Sequence, residues 1–179
     1  MQPHTRIFRV RVNQHNNLEA FARYQVSVVK SKLAGGDTEG LQNDCMSAVI
    51  AMAFAVEAIL NYVGAKKIPN WKERASFKTK ISLIERACQF KFDSSAEPFR
   101  TLELVKRSRD TMAHGQPIEF CVSVSTDQEI AKHMKPTWKL ETQPVVVIVS
   151  FEQVETFKEF LFSRAGIKPG AALTSAASP

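Results

Sequence analysis

The fold depends on MSAVIAMAFAVEAILNYV, residues Met46 to Val63, an almost continuously apolar stretch. Drawn as a helix, this stretch is apolar on most of its sides, so other elements must cover it. It is also long enough to raise the question of a membrane span. Glu57 and Asn61 lie inside it, however, and both side chains are costly to expose to lipid. We therefore predict the buried central helix of a soluble protein and no membrane segment.

Helical spacing extends upstream of this stretch. Apolar residues recur every three or four positions and stop at Gly35, which predicts a first helix with an N-cap at Asn16 or Asn17. The central helix is then predicted to begin at a cap within residues 37–38 and to end at Gly64.

Two further helices are predicted downstream. Phe77 to Cys88 carries apolar residues at spacings typical of an amphipathic helix. The next helix is predicted to begin at a cap on Ser94 or Ser95 and to end at His114, because Gly115 suits a left-handed cap.

The connector AKKIPNWKER, residues 65–74, places basic side chains beside Trp71. Such a mixture can bind a strand of nucleic acid through backbone charge and base stacking. A solvated loop held to the bundle by its tryptophan accounts for the same residues, and we favour that interpretation.

Strand-like patterns lie outside these helices. Residues 6–12 and 118–124 alternate apolar and polar side chains, and Val145–Val149 is a β-branched run, so each predicts a strand. Residues 126–143 either form a long hairpin loop or contain a short helix. These patterns together predict a strand-rich insert at 118–150 and a small accessory sheet beside the helices.

The sequence thus predicts a mainly α fold, a helical bundle with a small accessory β-sheet. One domain is expected over residues 1–167, with its helical core at about 16–115 and a C-terminal helix at 151–164. Residues 168–179 are expected to be a flexible tail.

Composition limits the class of protein. The chain has 179 residues and a formal net charge of +6, which suits one soluble domain and favours a polyanionic partner such as RNA. Cys45, Cys88 and Cys121 are odd in number and widely spaced, so we predict reduced thiols and a cytoplasmic protein. The spacing of His and Cys residues suggests no metal site, and no cofactor is expected.

The polar residues best suited to chemistry lie in TLELVKRSRDTMAHG, Thr101 to Gly115. On a helix, Asp110 lies about 40° and Arg107 about 20° from His114. We therefore expect the Asp110 carboxylate to hold the imidazole of His114 in position. Arg109 lies about 140° from His114, so one straight helix cannot easily direct both at one phosphate. Either the last turn is bent or a second copy of the chain completes the site.

An arginine and a histidine are enough to cleave RNA without a metal. The 2′-hydroxyl is an internal nucleophile, a histidine moves the protons, and an arginine stabilises charge on the phosphate oxygens. Arg109 and His114 form such a pair. Arg9 and His15 have a similar spacing, but they fall on a predicted strand and its exit, and we interpret them as a chance pair.

RDTMAHG after an amphipathic helix, with the long apolar helix two helices earlier, resembles the HEPN superfamily (higher eukaryotes and prokaryotes nucleotide-binding). The resemblance covers roughly residues 16–115. Members are α-helical bundles, usually dimeric, and many are metal-independent endoribonucleases. Their motif is an arginine, a polar residue and, a few residues later, a histidine, which match Arg109, Asp110 and His114 here.

This resemblance implies a homodimeric endoribonuclease that leaves 2′,3′-cyclic phosphate and 5′-hydroxyl ends. Arg109 and His114 would be its catalytic residues, supported by Asp110 and Arg107. The setting would be that of a toxin or defence effector restrained by an antitoxin or another regulatory protein. Two alternatives stay open: a non-catalytic helical module that binds a partner protein or a nucleotide, and a solvated helix end without function.

Glu57 needs a partner because it is a carboxylate on a largely apolar helix. An arginine of the helix that carries Arg109 is the nearest candidate in kind. Glu57 then either belongs to a salt bridge inside the bundle or shapes the catalytic arginine, and we favour the first interpretation.

Overall fold

The computed structural model describes residues 9–115, 119, 121–134 and 142–177. Within these ranges the chain is mainly helical with a small two-stranded antiparallel sheet, so the predicted fold class is confirmed. The elements in chain order are β1 (Arg9–Arg11), α1 (Gln14–Gly35), α2 (Leu41–Lys67), α3 (Phe77–Cys88), α4 (Phe99–His114), α5 (Asp127–His133), α6 (Pro144–Arg164), a 3-10 helix (Pro169–Ala172) and β2 (Ser175–Ala177).

The predicted central helix is α2, which contacts α1, α3, α4 and α6. In the part of the chain that the structure describes, α2 alone is long and apolar enough to cross a membrane, and 61% of its most apolar window is buried in the bundle. Ile59 and Leu60 are fully enclosed. Burial of each such side chain stabilises the fold by about 1.5–3 kcal/mol.

The N-terminal end of α1 differs from the prediction, because the helix begins at Gln14 and Asn13 is the N-cap. Asn13 and Asn16 both donate a hydrogen bond from Nδ2 to the Ala172 carbonyl, each at 2.9 Å. Asn16, one of the predicted caps, therefore binds the C-terminal segment. The other end of α1 agrees with the sequence, since Gly36 has a left-handed conformation with φ of 68°.

The bounds of α2 and α3 lie near those predicted. α2 begins at Leu41, a few residues after the expected cap, and continues past Gly64 to Lys67. α3 spans Phe77–Cys88 as predicted, and the Ser76 hydroxyl caps it by accepting a hydrogen bond from the Thr79 amide.

α4 begins at Phe99, beyond the predicted caps Ser94 and Ser95. Ser95 instead belongs to a turn in which its amide and hydroxyl both donate to Asp93 Oδ1. The first turn of α4 gains an acceptor from Glu97, whose Oε2 binds the Thr101 amide at 3.2 Å.

The predicted strand at Val145–Val149 is wrong, because these residues form the first turns of α6. Pro144 suits the first position of a helix, where the amide that it lacks has no partner. Burial of Val147, Phe151 and Val154 on one side of the helix outweighs the modest strand preference of valine.

The predicted strand at 118–124 is not formed where the structure describes it, since residues 121–124 have no regular structure. Residues 118 and 120 lie outside the described residues. Between the two predicted strands the chain forms the short helix α5. The insert at 118–150 is therefore not strand-rich in its described part.

The small sheet pairs β1 with β2, and Val10 lies opposite Ala176. The predicted strand at 6–12 is thus partly confirmed, although Val10 and Val12 are exposed and not half-buried. The expected flexible tail at 168–179 instead carries the 3-10 helix and β2 in its described part. Its residues extend the fold beyond the predicted boundary at 167.

Candidate functional site

α4 positions the candidate residues by burying one side against α2 and α6. Leu102, Val105 and Ser108 lie on this side, and the Ser108 hydroxyl donates to the Leu104 carbonyl at 2.9 Å. The helix is continuous to His114. Its orientation is therefore fixed by packing, and the polar side faces outward.

Arg109 is the best-enclosed charged group of the candidate site, with 30% of its side chain exposed. Its guanidinium carbon lies 5.9 Å from the centre of the Phe54 ring on α2. Nη1 lies 2.9 Å from Asp110 Oδ1, and Nε is buried with no hydrogen-bond partner among the described residues. An aromatic face and a carboxylate thus hold this guanidinium in place.

Asp110 does not hold His114, contrary to expectation. Its carboxylate forms ion pairs with Lys106, one helical turn earlier, and with Arg109. Asp110 has a neighbour one turn away on either side, Lys106 and His114, and in the structure it pairs with Lys106. The carboxylate therefore supports the arginine of the motif.

His114 is the last residue of α4, as predicted, and its side chain is exposed. Within the described part of the chain it has no hydrogen bond or ion pair. Gly115 has φ of −57°, so the predicted left-handed cap is wrong. The imidazole is accessible to a substrate from outside the bundle.

Arg109 and His114 do not share a face, because a continuous helix separates them by about 140°. α4 is helical through His114, so its last turn is not unwound. The other solution, in which a second copy of the chain brings a histidine beside Arg109, stays a prediction.

Arg107 is exposed and lies on two grooves beside α4. One groove, of about 660 Å³, runs between α4 and the start of α3 and includes Phe77 and Lys106. The other, of about 510 Å³, runs between α4 and α6 and includes Val145 and Val149. The Lys106 ammonium lies 5.9 Å from the Phe77 ring centre, so the first groove combines cations with an aromatic surface.

Glu57 forms an ion pair with Lys80 of α3, so the expected arginine partner is wrong. Lys80 is fully buried, whereas the Glu57 side chain is 35% exposed. This pair belongs to the packing of α2 against α3. It supports the structural interpretation of Glu57.

Trp71 holds the basic connector to α2. Its Nε1 donates to Asn61 Oδ1 at 3.2 Å, and its ring packs so closely on Gly64 that a Cβ there would lie 2.4 Å from the indole. This contact fits the favoured interpretation of a loop held by its tryptophan.

The supposed chance pair of Arg9 and His15 serves different parts of the fold. Arg9 is exposed on β1, whereas His15 is buried against the rings of Tyr62 and Phe162. Cys45, Cys88 and Cys121 are all free. Burial raises the pKa of the Cys45 thiol to about 11, which makes it unreactive near neutral pH. No group of three or more metal-ligating side chains occurs among the described residues.

Sequence reasoning missed Phe54, which lies in the apolar stretch like any core residue but is 44% exposed beside Arg109. One signal in the sequence could have indicated this role, because Phe54 lies on the central helix, which must contact α4. The contact itself depends on how the two helices cross, which no local pattern specifies.

A search with models of known protein families gives no match to this chain. Comparisons with curated proteins and with solved structures give no significant match either.

Proposed function

We propose that the chain is a metal-independent endoribonuclease of the HEPN type that works as a homodimer. The observation that supports this most is the contrast between two side chains of α4. The Arg109 guanidinium is held by Phe54 and Asp110, while His114 is exposed at the end of the same helix. A fixed cation and an accessible imidazole are the two groups that this chemistry needs.

In this proposal the α4 helices of two copies face each other, so that His114 of each copy lies beside Arg109 of the other. A histidine takes the proton of the 2′-hydroxyl, and the 2′-oxygen bonds to phosphorus while the bond to the 5′-oxygen breaks. The departing 5′-oxygen receives a proton from a protonated histidine. Arg109 stabilises the charge on the phosphate oxygens. The products are a 2′,3′-cyclic phosphate and a 5′-hydroxyl.

Arg107 and Lys106 extend positive charge from Arg109 along α4 toward the groove that contains Phe77. Backbone phosphates can bind the cations, and a base can stack on the exposed part of the ring. This surface supports RNA as the substrate. The proposal sets the activity in the cytoplasm, where free thiols persist, with an antitoxin or regulatory protein as restraint.

The first test incubates the purified chain with RNA in EDTA and identifies the product ends. We expect cleavage by the unaltered chain and a fall of at least about 100-fold for His114→Ala and for Arg109→Ala. His133→Ala is the matched control, because His133 is an exposed histidine on a different helix, α5. Cleavage by His114→Ala at the rate of the unaltered chain would contradict the proposal.

A second test asks whether two copies share the site. The two inactive variants, His114→Ala and Arg109→Ala, are mixed, unfolded and refolded together. Half of the dimers are then mixed, and each mixed dimer has one complete site of two, so about a quarter of the activity should return. No recovery, with mixed dimers confirmed by mass, would exclude a shared site.

A non-catalytic module is the second candidate, and the groove between α4 and α6 favours it. Val145 and Val149 are exposed there, beside Arg100 and Arg107. Such a surface suits a partner protein. This candidate predicts intact RNA with the unaltered chain, and a partner complex that Val149→Asp weakens.

A further inference from the structure

A third cavity lies at the opposite end of α6 from the groove between α4 and α6, and its lining includes no residue of α4. It has a volume of about 470 Å³ and lies between the start of α1, the end of α6 and the segment that follows α6. Its apolar lining comes from Phe162, Ile167 and Leu173. The volume falls within the range of small-molecule sites, about 300–1,000 Å³.

His15 lines this cavity and is 2% exposed. Its ring lies 4.3 Å from the ring centre of Tyr62 and 5.8 Å from that of Phe162. Neither ring nitrogen has a hydrogen-bond partner among the described residues. Buried polar atoms are nearly always paired, so this imidazole has hydrogen-bonding capacity that the protein itself does not use.

The chemistry of His15 restricts the partner that it can take. Burial lowers its pKa, so the ring is neutral near pH 7. A neutral imidazole has one N–H donor and one acceptor nitrogen. A hydroxyl group, which both donates and accepts, can bind either nitrogen.

The charges around the cavity are balanced. Lys158 lines it, but its Nζ lies 2.5 Å from Glu19 Oε1 on α1. Glu159 lies on the same wall and is exposed. An anionic ligand would meet a lysine that is already paired, and a cationic ligand would meet a carboxylate that is exposed and screened by water. Neither would recover its lost hydration, which favours a neutral ligand.

One wall of the cavity is fixed by hydrogen bonds. The Ala172 carbonyl accepts from Asn13 and Asn16, and the Ala171 carbonyl accepts from the Tyr62 hydroxyl at 3.0 Å. Ala172, which lines the cavity, is thereby held against the start of α1. The site is preorganised and does not depend on a loose segment.

We propose that this cavity binds a small uncharged molecule that has a single-ring or short aliphatic body and one hydroxyl group. The body contacts Phe162, Ile167 and Leu173, and the hydroxyl is hydrogen-bonded to His15. This site is separate from α4, and the binding proposed for it does not depend on whether the chain cleaves RNA.

The test titrates the full chain with phenol, and in parallel with toluene, which has the same ring without the hydroxyl. Binding is followed by NMR on the His15 imidazole and by calorimetry. We expect saturable shifts of the His15 resonances and a dissociation constant for phenol about 2- to 10-fold below that for toluene.

His15→Phe is the matched variant, because it keeps an aromatic ring in the cavity and removes both nitrogens. We expect it to bind phenol and toluene equally. If this variant does not fold, the comparison of phenol with toluene on the unaltered chain decides alone. Equal affinities there, no saturable shift, or a water molecule that stays on His15 at phenol saturation would each overturn the proposal.

Discussion

Arg109 Nη1 lies 2.9 Å from Asp110 Oδ1, so the two adjacent residues of the motif pair with each other. Asp110 is also paired with Lys106. The carboxylate therefore positions the arginine and has no contact with His114 in the described part of the chain. Asp110 thus positions the arginine of the motif and does not hold the histidine as the sequence alone would suggest.

Asp110→Asn should lower RNA cleavage about 2- to 5-fold, because a third of this carboxylate is exposed and its pair with Arg109 is partly screened. The pH dependence of kcat/KM should keep its shape, since His114 loses no partner. A pH profile measured on both proteins checks this. If the part of the pH profile assigned to His114 moves along the pH axis in Asp110→Asn, then Asp110 acts on the histidine.

Phe54→Leu should reduce cleavage about 2- to 5-fold by removing the aromatic face beneath the Arg109 guanidinium. Stability should change little, because Phe54 is 44% exposed. Phe21→Leu is a matched control, since Phe21 is 45% exposed on α1. Equal loss of activity in both variants would show a general effect and not a role in holding Arg109.

Glu57→Gln should lower the free energy of unfolding by about 2 kcal/mol, because Lys80 stays buried without its carboxylate. The value is below that for a fully buried pair, since Glu57 is partly exposed. Lys80→Met should cost less, because methionine fills a similar volume without a charge. Urea unfolding checks both, with the exposed Lys78→Met as control; a larger loss in Lys80→Met would contradict this account.

The stability of the chain should fall as the pH drops below the ordinary histidine value of 6.5. Burial lowers the pKa of His15 in the folded state, so on acidification the unfolded chain takes up a proton before the folded chain does. Glu19 opposes this shift and Lys158 adds to it, while Tyr62 contacts the ring and Glu159 lines the same cavity.

Urea unfolding between about pH 5 and 8 measures this dependence. His15→Phe should flatten the curve over that range, because phenylalanine binds no proton. An equally steep curve in His15→Phe would assign the dependence to other groups.

The helical core could be predicted because its signals are local. α3 follows directly from the apolar spacing of Phe77–Cys88, and α2 from a stretch too apolar to lie on the surface. The β-branched run at Val145–Val149 predicted a strand, but the strand preference of valine is weak. Burial of Val147 with Phe151 on one side of a helix outweighs that preference.

The candidate site could be predicted only in part. The position of His114 in the last turn follows from the sequence. The partner of Asp110 does not, because Lys106 and His114 are both one turn away and the sequence ranks neither. The contact of Arg109 with Phe54 joins two helices, so no pattern within either helix could indicate it.

The hydrogen bonds from Asn13 and Asn16 to Ala172 join residues 159 and 156 positions apart in the chain. Contacts of such long range close a loop that contains every helix, and their entropic cost is recovered only once those helices have packed. The wall over His15 should therefore be the last part of the molecule to form during folding. It should also open before the bundle does, so its amides should exchange with solvent deuterium faster than those of α2.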